Sequence, residues 1–327
     1  MMSAKYMALA LAVLLPGCTM APNYVRPEAP VAEAWPDDLM PKGTVLAQAT
    51  DQLASEIGWK TFFTDQHLQR LIQLALDNNR DLRVSALNIE RARGLYQIQR
   101  ADLMPGVSAS GESSNKGVSA DLSTTGEQTV SRQHSLGVGV TSYELDFFGR
   151  IQSLKDKALE TYLGTEEAYR SARLSLVSEV AQAYLALVAD RERLNIATET
   201  LKSQQASYEM IARRHSVGVS SELDLRQAQT SVDTARVDIA RYSGQVAKDI
   251  TALSLLAGTK VTPDMLPSKA LSELPVWPDI PVSLPSTVLL QRPDILQAEH
   301  TLKAANADIR RYRTTVRRTW TCRCNGR

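Results

Sequence analysis

No proline interrupts the chain between Pro105 and Pro263, and from Gly149 to Arg214 the only internal glycine is Gly164. Proline and glycine are the residues that most readily end helices. The 66 residues of that run therefore read as one helix, about 100 Å long at 1.5 Å per residue, too long for a compact globule. Val180, Leu187, Leu194, Leu201 and Tyr208 recur along it every seven residues, the spacing of a coiled-coil seam. The run breaks at Val217-Gly218-Val219. Ser221 with Asp224 three residues on has the form of a capping box. A new helix follows, carrying Leu225, Ala228, Val232, Ala235, Ile239, Tyr242 and Val246 at alternating spacings of three and four. Two long antiparallel helices joined by a tight turn are expected, and their apolar stripes read as packing surface rather than a cofactor box.

Shorter helices precede this pair. Thr64 or Asp65 can cap a helix with Leu68, Leu71, Ile72 and Ala75 on one face, ending at Asn78-Asn79. A second begins at Asp81, read as its cap, and stops before Pro105. The period then changes to two. Val107, Ala109 and Gly111 alternate with Ser108, Ser110 and Glu112; after a loop rich in Gly, Ser and Thr, Leu136, Val138 and Val140 alternate with Gly137, Gly139 and Thr141. Each run has about the 9 to 11 residues of a tilted transmembrane strand. Alternation alone also fits a soluble hairpin packed on helices. In lipid a lone strand pair could not satisfy its edges and would have to join others. The fold class is thus mainly α with a β-hairpin.

Composition narrows the function. With 43% hydrophobic and 22% charged residues and a net charge of +1, the chain is neither disordered by composition nor a polyanion binder, so nucleic acid is not an expected partner. No G-x-x-x-x-G-K-[ST] phosphate loop is present. His67, His134, His215 and His300 lie far apart without metal-ligand spacing, and Cys322 with Cys324 cannot alone supply four zinc ligands. No nucleophile has a neighbouring base by motif, so no catalytic residue, metal or cofactor is expected.

The remaining cysteine, Cys18, follows a targeting segment: Lys5 is its positive region, Met7 to Leu15 its apolar stretch, and Gly17 the small residue before a cut. An ordinary secretory signal would fit. So does a bacterial lipobox, in which Cys18 is acylated and becomes the mature N-terminus after cleavage between Gly17 and Cys18. Pro16 departs from the usual small or apolar residue of that box. Thr19 is not the aspartate of inner-membrane retention, so the resemblance implies the outer membrane, where two or more acyl chains such as palmitate would hold the chain. Pro22, Pro27, Pro30, Pro36 and Pro41 favour an extended tether behind it.

Near the other end, Pro263 to Pro293 holds seven prolines and reads as a connector. The segment opened by Asp294 then aligns with that at Asp81, offset by 213 residues: Ile295 with Leu82, Leu302 with Ile89, Ala305 with Ala92 and Ile309 with Tyr96. This reads as the start of a second copy of the first half. After Ile309 the correspondence stops, and seven of the last 18 residues are arginine. Either a basic tail for phosphate or anionic lipid or a frame change or truncation accounts for 310–327; the second reading is preferred.

The lipobox, the Pro-rich strap, Gly58-Trp59-Lys60-Thr61-Phe62-Phe63, Asn79-Arg80-Asp81-Leu82-Arg83-Val84, Tyr143-Glu144-Leu145-Asp146-Phe147-Phe148-Gly149-Arg150, Val217-Gly218-Val219 with Leu223-Asp224-Leu225-Arg226-Gln227-Ala228-Gln229, and Arg292-Pro293-Asp294-Ile295 together resemble the TolC-type outer-membrane efflux family. Its lipoprotein branch, typified by OprM, is the nearest. The resemblance implies a homotrimer in which long helices form a periplasmic α-barrel and each protomer adds strands to one shared transmembrane β-barrel. It implies a passive conduit for antibiotics, organic solvents or other toxic compounds, coupled through a periplasmic adaptor protein to an inner-membrane efflux transporter. On this basis Val217, Gly218, Val219, Ser220, Leu223 and Asp224 form the adaptor-contacting tip turn, Cys18 carries covalent lipid, and outer-membrane lipid surrounds the strands. Gate residues lie mostly in the second repeat and are not assigned.

The expected organisation is a signal peptide (1–17), a lipidated Pro-rich tether (18–57), first-repeat N-terminal helices (58–105), a strand pair (106–147), a helical hairpin (148–258), a connector (259–292), the start of a second repeat (293–309) and an aberrant Arg-rich tail (310–327). With one strand pair where the resemblance implies two, the chain is expected not to conduct alone. A periplasmic coiled-coil scaffold lipoprotein is the main rival function, and an envelope enzyme a second.

Overall fold

The structure is a computed structural model that describes residues 24–28, 58–124, 126–146, 149–267, 269–275 and 286–322, the side chains of 141, 142, 286, 287 and 310–322 excepted. Gly17, Cys18, the signal peptide and most of the tether therefore lie outside the described residues. In order come α1 (Trp59–Phe62), α2 (Gln66–Asn78), α3 (Arg80–Ala101), β1 (Gly106–Val118), β2 (Thr129–Ser142), α4 (Arg150–Ser216), α5 (Glu222–Ala257) and α6 (Pro293–Cys322), with short 3-10 turns between. The uninterrupted run expected as one helix is the 67-residue α4.

Helix ends follow the local chemistry. Asp65 rather than Thr64 caps α2, its Oδ1 accepting from the amides of His67 at 2.7 Å and Leu68 at 3.3 Å. The cap of α3 corrects the sequence reading. It is Asn79, whose Oδ1 accepts from Leu82 N at 2.8 Å, while Asp81 lies inside the first turn. The backbone turns helical two residues earlier than expected because the Asn79 amide is also useful at its other end: Nδ2 donates to the Leu256 carbonyl at 2.9 Å. One side chain thus satisfies the start of α3 and the end of α5. Asp294 is likewise within the first turn of α6, receiving Arg292 at 2.6 Å. The starts of α3 at Arg80 and α6 at Pro293 are 213 residues apart (293 − 80), the offset of the sequence repeat. Backbone helix continues past Ile309 to Cys322.

The described residues fall into two compact units. One comprises 28 and the described residues of 58–88 and 166–297, and its core joins Leu68, Leu71, Ile72 and Ala75 of α2 to Val180, Tyr184, Leu187 and Val188 of α4, Leu253 and Ala257 of α5, and Val261 and Leu266 of the connector. Each large aliphatic side chain so enclosed contributes about 1.5–3 kcal/mol. The buried Tyr184 hydroxyl donates to Asp65 Oδ2 at 3.1 Å; burial first, then the charge and hydrogen bond of Asp65, push the phenol up.

The expected stripes are the less exposed positions of both helices. On α5, Val232 and Ala235 are buried and Leu225, Ala228, Ile239, Tyr242 and Val246 half-buried. On α4, Val180 and Leu187 are buried but Leu194, Leu201 and Tyr208 only partly so. The core cluster explains the difference, since none of its members on α4 lies beyond Val188.

The other unit comprises the described residues of 24–27, 89–165 and 298–322. Here Tyr96 of α3 stacks on Tyr162 of α4 with centroids 6.5 Å apart. On α6, His300 meets Glu160 at 2.7 Å and Asp308 meets Lys157 at 2.8 Å. The described piece of the tether is pinned to α6 by Arg26 to Glu299 at 3.2 Å and by Lys303 over the Tyr24 ring.

Candidate functional site: a hairpin tip and an open strand pair

At the tip, α4 ends because Gly218 adopts φ +79°, a left-handed conformation that glycine reaches at little cost. Its amide donates to the His215 carbonyl at 2.9 Å, and Val219 N donates to the Arg214 carbonyl at 2.9 Å. These two bonds form a Schellman motif. The next helix starts three residues later with the capping box read from sequence. Ser221 Oγ accepts from Asp224 N at 3.1 Å, and Asp224 Oδ2 accepts from Ser221 N at 3.0 Å and from Ser220 Oγ at 3.2 Å. The Ser221 bonds, helped by Ser220 and the charge of Arg214, hold the Asp224 carboxyl below its ordinary range. Arg213, Arg214 and His215 end one helix and Glu222 and Asp224 open the next, each sign favourable to its helix dipole. His215 Nε2 also lies 3.2 Å from Glu222 Oε2, a contact across the turn that sequence reading did not anticipate.

The Gly218, Val219, Ser221 and Asp224 amides are thus all bonded within the turn, while Val217, Val219 and Leu223 stand 65–72% exposed. The six residues expected at the tip are brought together on one rigid turn. It can offer an apolar contact of fixed shape.

The strand pair has a similar character. β1 and β2 are antiparallel, with Val107 opposite Val140, Ala109 opposite Val138 and Gly111 opposite Leu136. Directly paired residues share a face, so the alternation seen in the sequence becomes three apolar tiers on one side. On the other side Ser108 faces Gly139, Ser110 faces Gly137 and Glu112 faces Ser135. Leu136 is 92% and Val138 80% exposed, and the sheet has two strands only. Among the described residues no third strand pairs with this sheet.

Strand and helix are joined by a polar junction. Arg150 grips Glu144 with two bonds, Nε to Oε1 at 3.0 Å and the terminal nitrogen to Oε2 at 2.5 Å. Asp146 caps α4, its two oxygens accepting from Arg150 N at 2.6 Å and Gln152 N at 2.9 Å. These residues stood in the sequence as a family motif, but no local rule assigned them this work. Among the described residues no three metal-ligating side chains converge.

Comparison with known proteins bears on both features. The sequence model described as "Outer membrane efflux protein" matches residues 71–259, a span that includes the strand pair and the hairpin tip. The chain is 46% identical over 309 residues to the toluene efflux pump outer membrane protein TtgC of Pseudomonas putida, covering 94% of this chain and 63% of that one. It is 40% identical over 302 residues to outer membrane protein OprJ of Pseudomonas aeruginosa, covering 92% and 62%. The chain thus spans less than two thirds of the length of these relatives. A crystal structure of a membrane protein from Pseudomonas aeruginosa superposes with a TM-score of 0.73 at 39% identity, covering 90% of this chain and 64% of that one. The open state of the Neisseria gonorrhoeae MtrE outer membrane channel gives 0.72 at 33% identity, covering 90% and 63%. Mainly helical architecture with one strand pair is common to the sequence reading and the structure. The chain belongs to the outer membrane efflux protein family.

Proposed function

We propose that this chain is the outer-membrane channel subunit of a tripartite efflux pump, a passive conduit for antibiotics, organic solvents or other toxic compounds, working as a homotrimer with a periplasmic adaptor and an inner-membrane transporter. The observation that carries the reading is the strand pair. Its apolar tiers are solvent-exposed and its edges open, an arrangement that is costly in water and resolved only when several such pairs close a barrel in lipid. The relative names point to the cargo: one is a toluene pump component and another an antibiotic pump component. Transport energy then comes from the partner transporter, and the chain itself performs no catalysis and needs no cofactor.

Val217, Gly218, Val219, Ser220, Leu223 and Asp224 form the adaptor contact in this reading, supported by the exposed apolar trio on a turn already satisfied by its own hydrogen bonds. Cys18 is the lipid attachment point, with cleavage after Gly17, and the lipid fixes the chain to the outer membrane. The division into signal, tether, N-terminal helices, strand pair, hairpin, connector and partial second repeat is retained, with 310–327 foreign to the repeat pattern.

The test is genetic and biochemical together. Deleting the gene should lower toluene and antibiotic tolerance, and the protein should resist carbonate extraction from outer membranes and migrate as a heat-modifiable trimer. Full tolerance in the deletion strain together with release as a soluble monomer would instead establish the periplasmic scaffold.

A further inference from the structure

The apolar side of the strand pair ends before the strands do. Beyond the tier of Gly111 and Leu136, going away from the helices, the same face carries Ser113 opposite His134, then Asn115 opposite Arg132, and last Gly117 opposite Val130. Arg132 is therefore in line with three apolar tiers, on the side that the channel reading turns toward lipid. It is exposed, and among the described residues it has no ion-pair partner. None of the paired residues on this face is acidic. The opposite face differs, because it holds one charge of each sign, Glu112 and Lys116.

Height decides what a lone cation can meet there. Arg132 lies eight residues along β2 from Val140, about 27 Å at roughly 3.4 Å per residue. With the tilt of barrel strands, roughly 35–45°, this is about 20 Å of height, against an apolar band about 25 Å tall. The tier of Val107 and Val140 marks the inner edge of the band, since the chain runs from there into the helices at Ala101 and Arg150. Leu136 then stands near the middle and Arg132 near the outer edge, where its long side chain can carry the guanidinium out of hydrocarbon. A planar guanidinium holds a phosphate with two parallel hydrogen bonds, and the amide of Asn115 supplies a further donor. We propose that Arg132 and Asn115 bind the phosphate of an anionic lipid headgroup at the outer boundary of the membrane. The inference rests on the channel reading, which puts the helices in the periplasm and so makes this end of the strands the outer one.

Flotation of the full chain with vesicles of phosphatidylcholine, alone or mixed with phosphatidylglycerol, tests it when the lipid is titrated. The wild type should bind the anionic vesicles more tightly than the neutral ones. Arg132→Gln should lower binding to the anionic vesicles by about fivefold, the effect of one cation near such a surface, and leave binding to the neutral ones unchanged, which also shows that the variant folds. Arg132→Lys should keep most of the preference. Lys116→Gln removes the same charge from the opposite face and should change neither. An Arg132→Gln preference equal to that of the wild type, or an equal loss in Lys116→Gln, would overturn the headgroup contact while leaving the channel reading intact. Failure of the wild type to float with either lipid would overturn both.

Discussion

Two glycines share a left-handed backbone but not the same surroundings, and replacing each by alanine separates intrinsic strain from steric conflict. Gly218 ends α4 with φ +79° and has open space where a Cβ would stand. Gly258 ends α5 with φ +68°, and a Cβ there would lie 2.2 Å from Asn78 O and 2.7 Å from Asn78 C. A left-handed L-residue costs about 1–2 kcal/mol, the whole of the expected loss for Gly218→Ala. For Gly258→Ala the backbone at Asn78 must also move. It cannot do so freely, because Asn79 is tied to both Leu82 and Leu256, and a core displacement of this kind adds roughly 1–3 kcal/mol. The expected loss is then about 2–5 kcal/mol. Urea unfolding of the purified chain, followed by tryptophan fluorescence to which Trp59 beside the core contributes, measures both. Equal losses for the two variants would refute the steric argument and leave only the backbone term.

Three further outcomes are expected. Asn79→Ala should cost about 2 kcal/mol, roughly one for the α3 cap and one for the Leu256 carbonyl, and Asn79→Asp about half of that because it keeps the cap; a larger loss for Asp in urea unfolding would contradict the two-ended role. The depressed Asp224 carboxyl contributes to the tip above its unfolded value, and that contribution disappears as pH falls through the lower folded value. Exchange protection at 217–224 should accordingly weaken on acidification below about pH 4 in the wild type and vary less in Asp224→Asn. In the proposed barrel, Leu136→Arg on the apolar face should cost about 2–4 kcal/mol near mid-bilayer and deplete heat-modifiable trimers in outer-membrane fractions, whereas Ser110→Lys on the opposite face should leave the trimer yield unchanged; equal yields for both would show that the faces are misassigned.

Much of the site was legible because its determinants are local. Gly218, Ser221 and Asp224 lie within seven residues of one another, and a Schellman turn followed by a capping box depends on little else. The period-two runs fixed which side chains share a face once the register placed Val107 against Val140. The cap of α3 was misplaced at Asp81 because a carboxylate two residues on is an equally plausible cap in isolation. What selects Asn79 is a carbonyl 177 residues away. The Arg150 to Glu144 clasp was hidden for a related reason: six residues separate the partners, with a strand end and a helix start between them.

The sequence by itself determined the extent of the two long helices, the turn between them and the alternation of the strands, since each follows from backbone preferences of residues a few positions apart. Only the tertiary structure decided which polar groups meet: Tyr184 with Asp65 and Asn79 with the end of α5. Such meetings depend on how α2, α4 and α5 pack, and a buried donor or acceptor acquires its energetic weight only when packing has removed the water that would otherwise satisfy it.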